Sequence, residues 1–209
     1  MRVADAQGMR QHQDTGLSAL DAIFMRRSVR HYDRRKVDEP TIRALLDAAV
    51  AAPTAMHMEP WAFVVVQNEA MLRKYSEAAK ASWIQEAAKY RDLHAPRADE
   101  GFAARLADPA FSIFYDAGTL IVICAKAAGP FAIADCWLAA ENLMLAACAL
   151  GLGTCCIGSA VPALNMPDAK AELHIPADVT AIVPIIVGIP AGASTEVPRK
   201  NPDVLYWEK

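Results

Sequence analysis

The chain has 209 residues, 54% hydrophobic and 22% charged, so it can bury enough apolar surface to offset its ordering entropy, and a disordered chain is excluded. Its 21 Lys and Arg against 24 Asp and Glu leave a formal charge of −3, without the basic excess that gives nucleic-acid binders their phosphate affinity. Five cysteines at no C-x-x-C spacing supply neither a disulfide framework nor a zinc ladder, and a reducing cytoplasm is the expected compartment.

Residues 1–16 are polar and lack the apolar stretch of a secretory signal, so they read as a flexible arm ahead of a single domain over 17–209. A short helix is expected over 17–25, running into the basic cluster Arg26-Arg27-Ser28-Val29-Arg30. Asp38 as N-cap and Pro40 in the first turn start a second helix, whose apolar Ile42, Leu45, Leu46, Ala49 and Val50 recur at helical spacing up to Pro53. Residues 61–67, 119–125 and 179–187 are β-branched and continuously apolar, as strands covered on both faces should be. Pro184 within the last of them predicts an edge position or a bulge.

Helical patterns fill 69–80, 131–150 and 162–173. Residues 131–151 approach membrane-spanning length, but Asp135, Glu141 and Asn142 interrupt them, which predicts a buried helix rather than a membrane span. Residues 84–109 carry Lys89, Arg91, Arg97, Asp99, Glu100, Arg105 and Asp108 on a weak apolar pattern and read as a variable, partly helical lid. The segment 189–209 is punctuated by Pro190, Pro198 and Pro202 and ends near Tyr206-Trp207; it predicts an extended tail that docks on something.

Four constellations can carry chemistry, each with a plainer reading beside it. The cluster at 26–30 offers three guanidinium groups and a hydroxyl to a phosphate, or is a solvated basic turn. The loop from Ala52 to Trp61 can present Thr54 and His57 to a planar ligand, or is an ordinary connection fixed by Pro53 and Pro60. The glycines of Gly151-Leu152-Gly153-Thr154-Cys155-Cys156-Ile157-Gly158-Ser159 permit close backbone approach to a ligand, or stop a helix. They are not a dinucleotide fingerprint, because Cys156 stands where the third glycine belongs. Arg199-Lys200 in the tail can close over a phosphate, or belong to a solvated linker. The histidines lack the paired spacing of metal ligands, and no metal site is expected.

Taken in order, Arg26 to Arg30, Pro53-Thr54 with Pro60-Trp61 and the valine run, the 151–158 glycine segment and Arg199-Lys200 resemble the FMN-dependent nitroreductase family across residues 17–202. The resemblance implies an α+β fold, a nitroreductase-like sheet flanked by helices, in an intertwined homodimer with one FMN at each of two interface sites. It implies that Arg26, Arg27 and Ser28 bind the FMN phosphate and ribityl chain, completed by Arg199 or Lys200, and that Arg30 sits at the N1/O2 edge. Pro53 and Thr54 would approach the ring from the partner subunit, and Gly158 and Ser159 would offer backbone N–H groups. Where relatives commonly carry Asn and Gln, this chain has His57 and Glu59. His57 is then a ring contact, a substrate contact or a capped loop residue, and an unpaired Glu59 would disfavour an anionic reduced flavin.

The implied activity is a two-step hydride relay from NADH or NADPH through FMN to a nitroaromatic, quinone or similar acceptor, with no essential side-chain acid or base. Two alternatives stand beside it. A flavin-dependent reductive dehalogenase would use Glu86 and Tyr90, one helical turn apart, although the lysine expected after them is missing. A non-catalytic FMN-binding or redox-sensing protein would give Cys155-Cys156 a role, although vicinal cysteines rarely bridge.

Overall fold

The computed structural model describes residues 16–90, 100–126, 129–192 and 197–208, with the backbone alone at 86–90 and 100–103. The arm expected over residues 1–16 therefore lies outside the described residues except for Gly16, as does 91–99 of the lid. Four antiparallel strands, β1 (Trp61–Val66), β2 (Thr119–Ala125), β3 (Gly153–Cys156) and β4 (Thr180–Gly188), form one sheet in the order β1-β2-β4-β3.

Strand alternation divides the core into two layers. Leu120, Val122 and Cys124 face one side, where Tyr75, Phe114 and Leu164 pack. Ile121, Ile123, Ile185 and Val187 face the other, against Leu45, Cys136 and Leu143. The first layer is covered by α3 (Glu69–Tyr90) and the second by α2 (Glu39–Val50) and α5 (Pro130–Ala149). Asp38 caps α2 by accepting from Thr41 N–H at 2.9 Å, as its sequence position predicts. α1 (Ala19–Met25) begins with a capping box between Ser18 and Asp21 and leaves Leu20, Ile23 and Phe24 exposed.

β2 matches its expected span and is buried throughout. β1 does not match the expectation of two covered faces: it is an edge strand and Val65 is 39% exposed. β4 reverses the edge reading of Pro184, because it lies between β2 and β3. The bulge half of that expectation holds, with the β2–β4 register shifting between Ile123 and Cys124. Pro184 needs no ladder donor there, since β3 ends opposite Ile185 and only the Pro184 carbonyl is used, by Ile157 N–H at 2.8 Å.

The helix expected over 162–173 is two pieces, α6 (Val161–Leu164) and α7 (Pro167–Glu172). Asn165 breaks it, donating to the Val161 and Ala181 carbonyls and accepting from Ala181 N–H, all at 2.9 Å, so that it fastens the break to β4 beside the bulge. α3 runs ten residues past the expected Lys80, and α4 (Glu100–Ala107) closes the lid segment. α5 has the length and composition to cross a membrane, yet eight of its residues, Asp135 among them, are buried in the fold, as expected of a core helix. The tail over 197–208 is extended and exposed.

Burial pushes the thiols of Cys124, Cys136 and Cys156 from the ordinary 9 up to about 11. A raised folded-state pKa means these groups stabilise the fold fully below the unfolded pKa and lose that contribution as pH rises through the folded one. Stability is therefore expected to fall between about pH 9 and 11. Urea midpoints at pH 8 and pH 10.5 check this, with Cys→Ala variants flattening the decline; equal midpoints in the native sequence would contradict it.

Candidate functional site

The basic cluster follows α1 as extended chain laid along the ends of β3 and β4. Val29 N–H donates to the Thr154 carbonyl at 2.9 Å, and Asp33 N–H to Ile189 at 2.9 Å, while the His31 carbonyl accepts from Ala191 N–H at 2.9 Å. Two glycines make the approach possible. A Cβ at Gly153 would lie 2.7 Å from Val29 Cγ2 and one at Gly188 would lie 2.8 Å from Tyr32 Cδ1. Tyr32 then closes the segment on itself, its hydroxyl donating to the Val29 carbonyl at 2.8 Å. Within the 151–158 glycine segment, Gly153–Cys156 is thus a strand, and Gly153 serves this packing as much as any ligand.

The result is a cavity of about 170 Å³ lined by Arg30, Tyr115, Cys155, Cys156, Gly158 and Ser159, with Ile113 and Ile157 between them. Among the described residues no Asp or Glu lines it, so none compensates the Arg30 charge within the cavity. Gly158 starts a 3-10 turn, Gly158–Ala160, and a Cβ there would meet nothing within 4 Å. The first hydrogen bond of that turn runs from Ala160 N–H to the Ile157 carbonyl at 2.9 Å, which leaves the Gly158 and Ser159 amides ahead of it. Burial raises the Cys155 thiol against the opposing pull of Arg30 and a Ser28 hydrogen bond, so it is neutral at pH 7, while Cys156 turns its thiol to the other face of the sheet, 3.6 Å from Met144 Sδ.

The remaining members of the expected site are placed differently. Arg26 Nε lies 3.6 Å from Glu141 Oε1, and Arg27 Nη1 donates to the Phe24 and Arg26 carbonyls at 2.6 and 2.8 Å. Ser28, adjoining them, is exposed and bridged to Thr154. Pro53, Thr54 and His57 stand on a separate loop between α2 and β1. There Met56, His57 and Glu59 are left-handed, with φ of 52, 55 and 46°. Asp135 of α5, itself buried, holds that loop by accepting from Ala55 N–H at 3.2 Å. Glu59 Oε1 is 3.6 Å from His57 Nε2, and both side chains are exposed. Neither these residues nor Arg199 and Lys200, exposed on the tail, line the Arg30 cavity. Of the expected set, one chain gathers Arg30, Gly158 and Ser159, with 26–28 leading into them.

Sequence reasoning missed Tyr115 and Ile113 as lining groups. Tyr115 and Asp116 are left-handed non-glycine residues just ahead of β2, a conformation that no residue pattern announces. Glu86 and Tyr90 do share α3, where only their backbone is described.

Comparison with known proteins places these features in context. The model of the Nitroreductase family matches residues 23–189. A protein of Archaeoglobus fulgidus provisionally named NADH dehydrogenase/NAD(P)H nitroreductase is 30% identical over 194 residues, covering 91% of this chain and 97% of its own. The crystal structure of a nitroreductase with bound FMN from Bacteroides fragilis superposes with a TM-score of 0.76 at 27% identity, over 92% of this chain and 100% of that one. Iodotyrosine deiodinase bound to FMN and 3-iodo-L-tyrosine shares the fold, with a TM-score of 0.70 at 22% identity over 90% of this chain and 98% of that one.

Proposed function

Because the chain belongs to the nitroreductase family, we propose that it is an FMN-dependent NAD(P)H oxidoreductase that reduces nitroaromatics, quinones or similar planar acceptors in two successive hydride transfers. The observation that carries this reading is the convergence of Arg30 with Gly158 and Ser159 in one cavity that no carboxylate among the described residues lines. That donor set fits FMN: a cation, two backbone donors, and open space where a Cβ would otherwise stand. The named relatives support the same cofactor, one as a nitroreductase with bound FMN and one by its NAD(P)H nitroreductase name.

FMN, when bound, supplies the hydride chemistry. Arg30 would face the ring edge where negative charge gathers on reduction, and the absence of a neighbouring acid leaves that charge free to stabilise it. Arg26, Arg27 and Ser28, next along the chain, would take the phosphate and ribityl chain. For Arg27 this means exchanging its two backbone carbonyl acceptors for the ligand. Among the described residues no lining side chain is a carboxylate or histidine, and the proposed role of the protein is orientation and electrostatics.

One chain supplies part of the site. Its cavity of about 170 Å³ is below the roughly 300–1,000 Å³ of small-molecule sites. Leu20 and Phe24 of α1, Phe131, Trp137 and Leu138 of α5, and Leu205 to Trp207 of the tail are exposed apolar groups that a second copy would cover. In that homodimer the loop bearing Pro53, Thr54 and His57, and the tail bearing Arg199 and Lys200, would come from the partner to close over the ring and the phosphate.

Stopped-flow mixing of the FMN-loaded protein with NADH and NADPH under anaerobic conditions tests the reading. The bound flavin is expected to bleach with at least one donor, and Arg30→Ala to slow bleaching at least about tenfold, the loss of roughly 1.4 kcal/mol of charge stabilisation. Flavin that stays oxidised with both donors would identify a carrier instead, and unchanged kinetics in the variant would remove Arg30 from the role.

A further inference from the structure

Tyr115, in the wall of the Arg30 cavity, is held in place from several directions. Ser76 Oγ, fully buried, accepts from Ile113 N–H at 3.0 Å. Lys80, only 4% exposed, donates to the Asp108 and Phe111 carbonyls at 3.2 and 2.9 Å and pairs with Glu77 at 2.7 Å. The Phe111 ring meets the Tyr115 ring edge-to-face, with centroids 5.5 Å apart and an interplanar angle of 80°. Over both rings lies the guanidinium of Arg105, in the last turn of α4, at 4.5 Å from the Phe111 centroid and 5.6 Å from that of Tyr115.

Arg105 is exposed, and among the described residues no carboxylate pairs with it. Stacking on two ring faces fixes the position of the guanidinium without neutralising it. Any acceptor that enters beside Tyr115 therefore meets two cations, Arg30 in the cavity and Arg105 behind the aromatic wall. Among the described residues no acid lines the cavity to oppose them, and burial keeps the Cys155 thiol neutral.

We infer that Arg105, seated on Phe111 and Tyr115, is a specificity-determining residue that favours planar electron acceptors bearing a negative charge, such as aromatic carboxylates and phenolates, over neutral and cationic ones. The inference rests on the flavin reading above and names the substrate class of that site. A second unneutralised charge behind the Tyr115 ring, in a half-solvated site, is expected to change kcat/KM by about fivefold. Salt screening on that length scale shrinks the effect at high ionic strength.

The FMN-loaded enzyme, turning over NADH or NADPH, is assayed with para-nitrobenzoate, para-nitrobenzyl alcohol and para-nitrobenzyltrimethylammonium. Selectivity is the kcat/KM ratio between acceptors, and comparing that ratio between variants cancels their differing intrinsic reducibility. Arg105→Ala is expected to lower the carboxylate-to-ammonium ratio at least about fivefold and Arg105→Glu to lower it further. Arg105→Lys is expected to retain most of it, and raising NaCl to roughly 0.5 M to narrow the native preference. Flavin content, measured on each variant, should match the native protein, because Arg105 lies outside that cavity's lining, and the ratio of kcat/KM between acceptors does not depend on how fast the anionic nicotinamide donor reduces the flavin. A ratio unchanged from native protein to Arg105→Glu, with flavin bound and reduced normally, overturns the inference alone. A chain that takes up no FMN, or whose flavin neither donor reduces, overturns the flavin reading and the inference with it.

Discussion

Gly153→Ala is expected to lower the thermal midpoint and to release the flavin together, because one added carbon separates the basic segment from the sheet. The new Cβ would sit 2.7–2.9 Å from three atoms of Val29, one of them Val29 Cβ, which cannot swing aside as the end of a flexible side chain would. Relief requires residues 28–32 to move off β3, straining the Val29–Thr154 hydrogen bond and shifting Arg30 from its place beside Gly158. Overpacking of this kind costs about 1–3 kcal/mol, or roughly 2–12 °C for a chain of this size. Val29→Ala in the same chain removes the two methyl contacts and leaves the Cβ contact, so it should recover part of both losses. Thermal unfolding and FMN titration of the single and double variants check this; an unchanged midpoint and affinity in Gly153→Ala would show that the close approach does not hold the site.

Gly158→Val separates stability from binding. Nothing lies within 4 Å of a Cβ at this position and its φ is not positive, so the fold should tolerate the side chain within about 0.5 kcal/mol. The same methyl groups would occupy the cavity and obstruct the Gly158 and Ser159 amides. FMN affinity should fall about a hundredfold or more, which is roughly 2.7 kcal/mol. Equal FMN affinity in native and variant protein, read by fluorescence quenching, would place the flavin elsewhere.

Much of the fold is legible in the sequence where one physical signal dominates. β2 is a continuous β-branched run because it is the buried centre of the sheet, and α2 announces itself through Asp38, Pro40 and the Ile42–Leu45–Ala49 stripe. β3 is hidden because four residues, Gly153 to Cys156, are too few to show alternation and begin with a residue of low strand propensity. The extension of α3 beyond Lys80 is hidden because its apolar pattern weakens there, Trp83 being the last aromatic packed against the core among the described side chains of the helix. Pro184 misled as to position because the sequence cannot show that β3 ends one residue short of needing its missing donor.

The site divides along the same line. Arg30, Gly158 and Ser159 belong to segments whose residue types suit a phosphorylated planar ligand, and the fold brings them together. Tyr115 and Arg105 carry no such signal. The first depends on a left-handed turn, and the second on a lid helix folding its last turn over two rings. Pro53, Thr54, His57, Arg199 and Lys200 do not line this cavity in one chain, and the proposed homodimer would bring them to it from the partner.

The most direct test of this account is to load the purified chain with FMN, remove the excess, and measure flavin absorbance per chain together with molar mass by light scattering. The account predicts a particle of two chains carrying two FMN. A chain that takes up no FMN, or one that holds FMN tightly as a monomer, would contradict it.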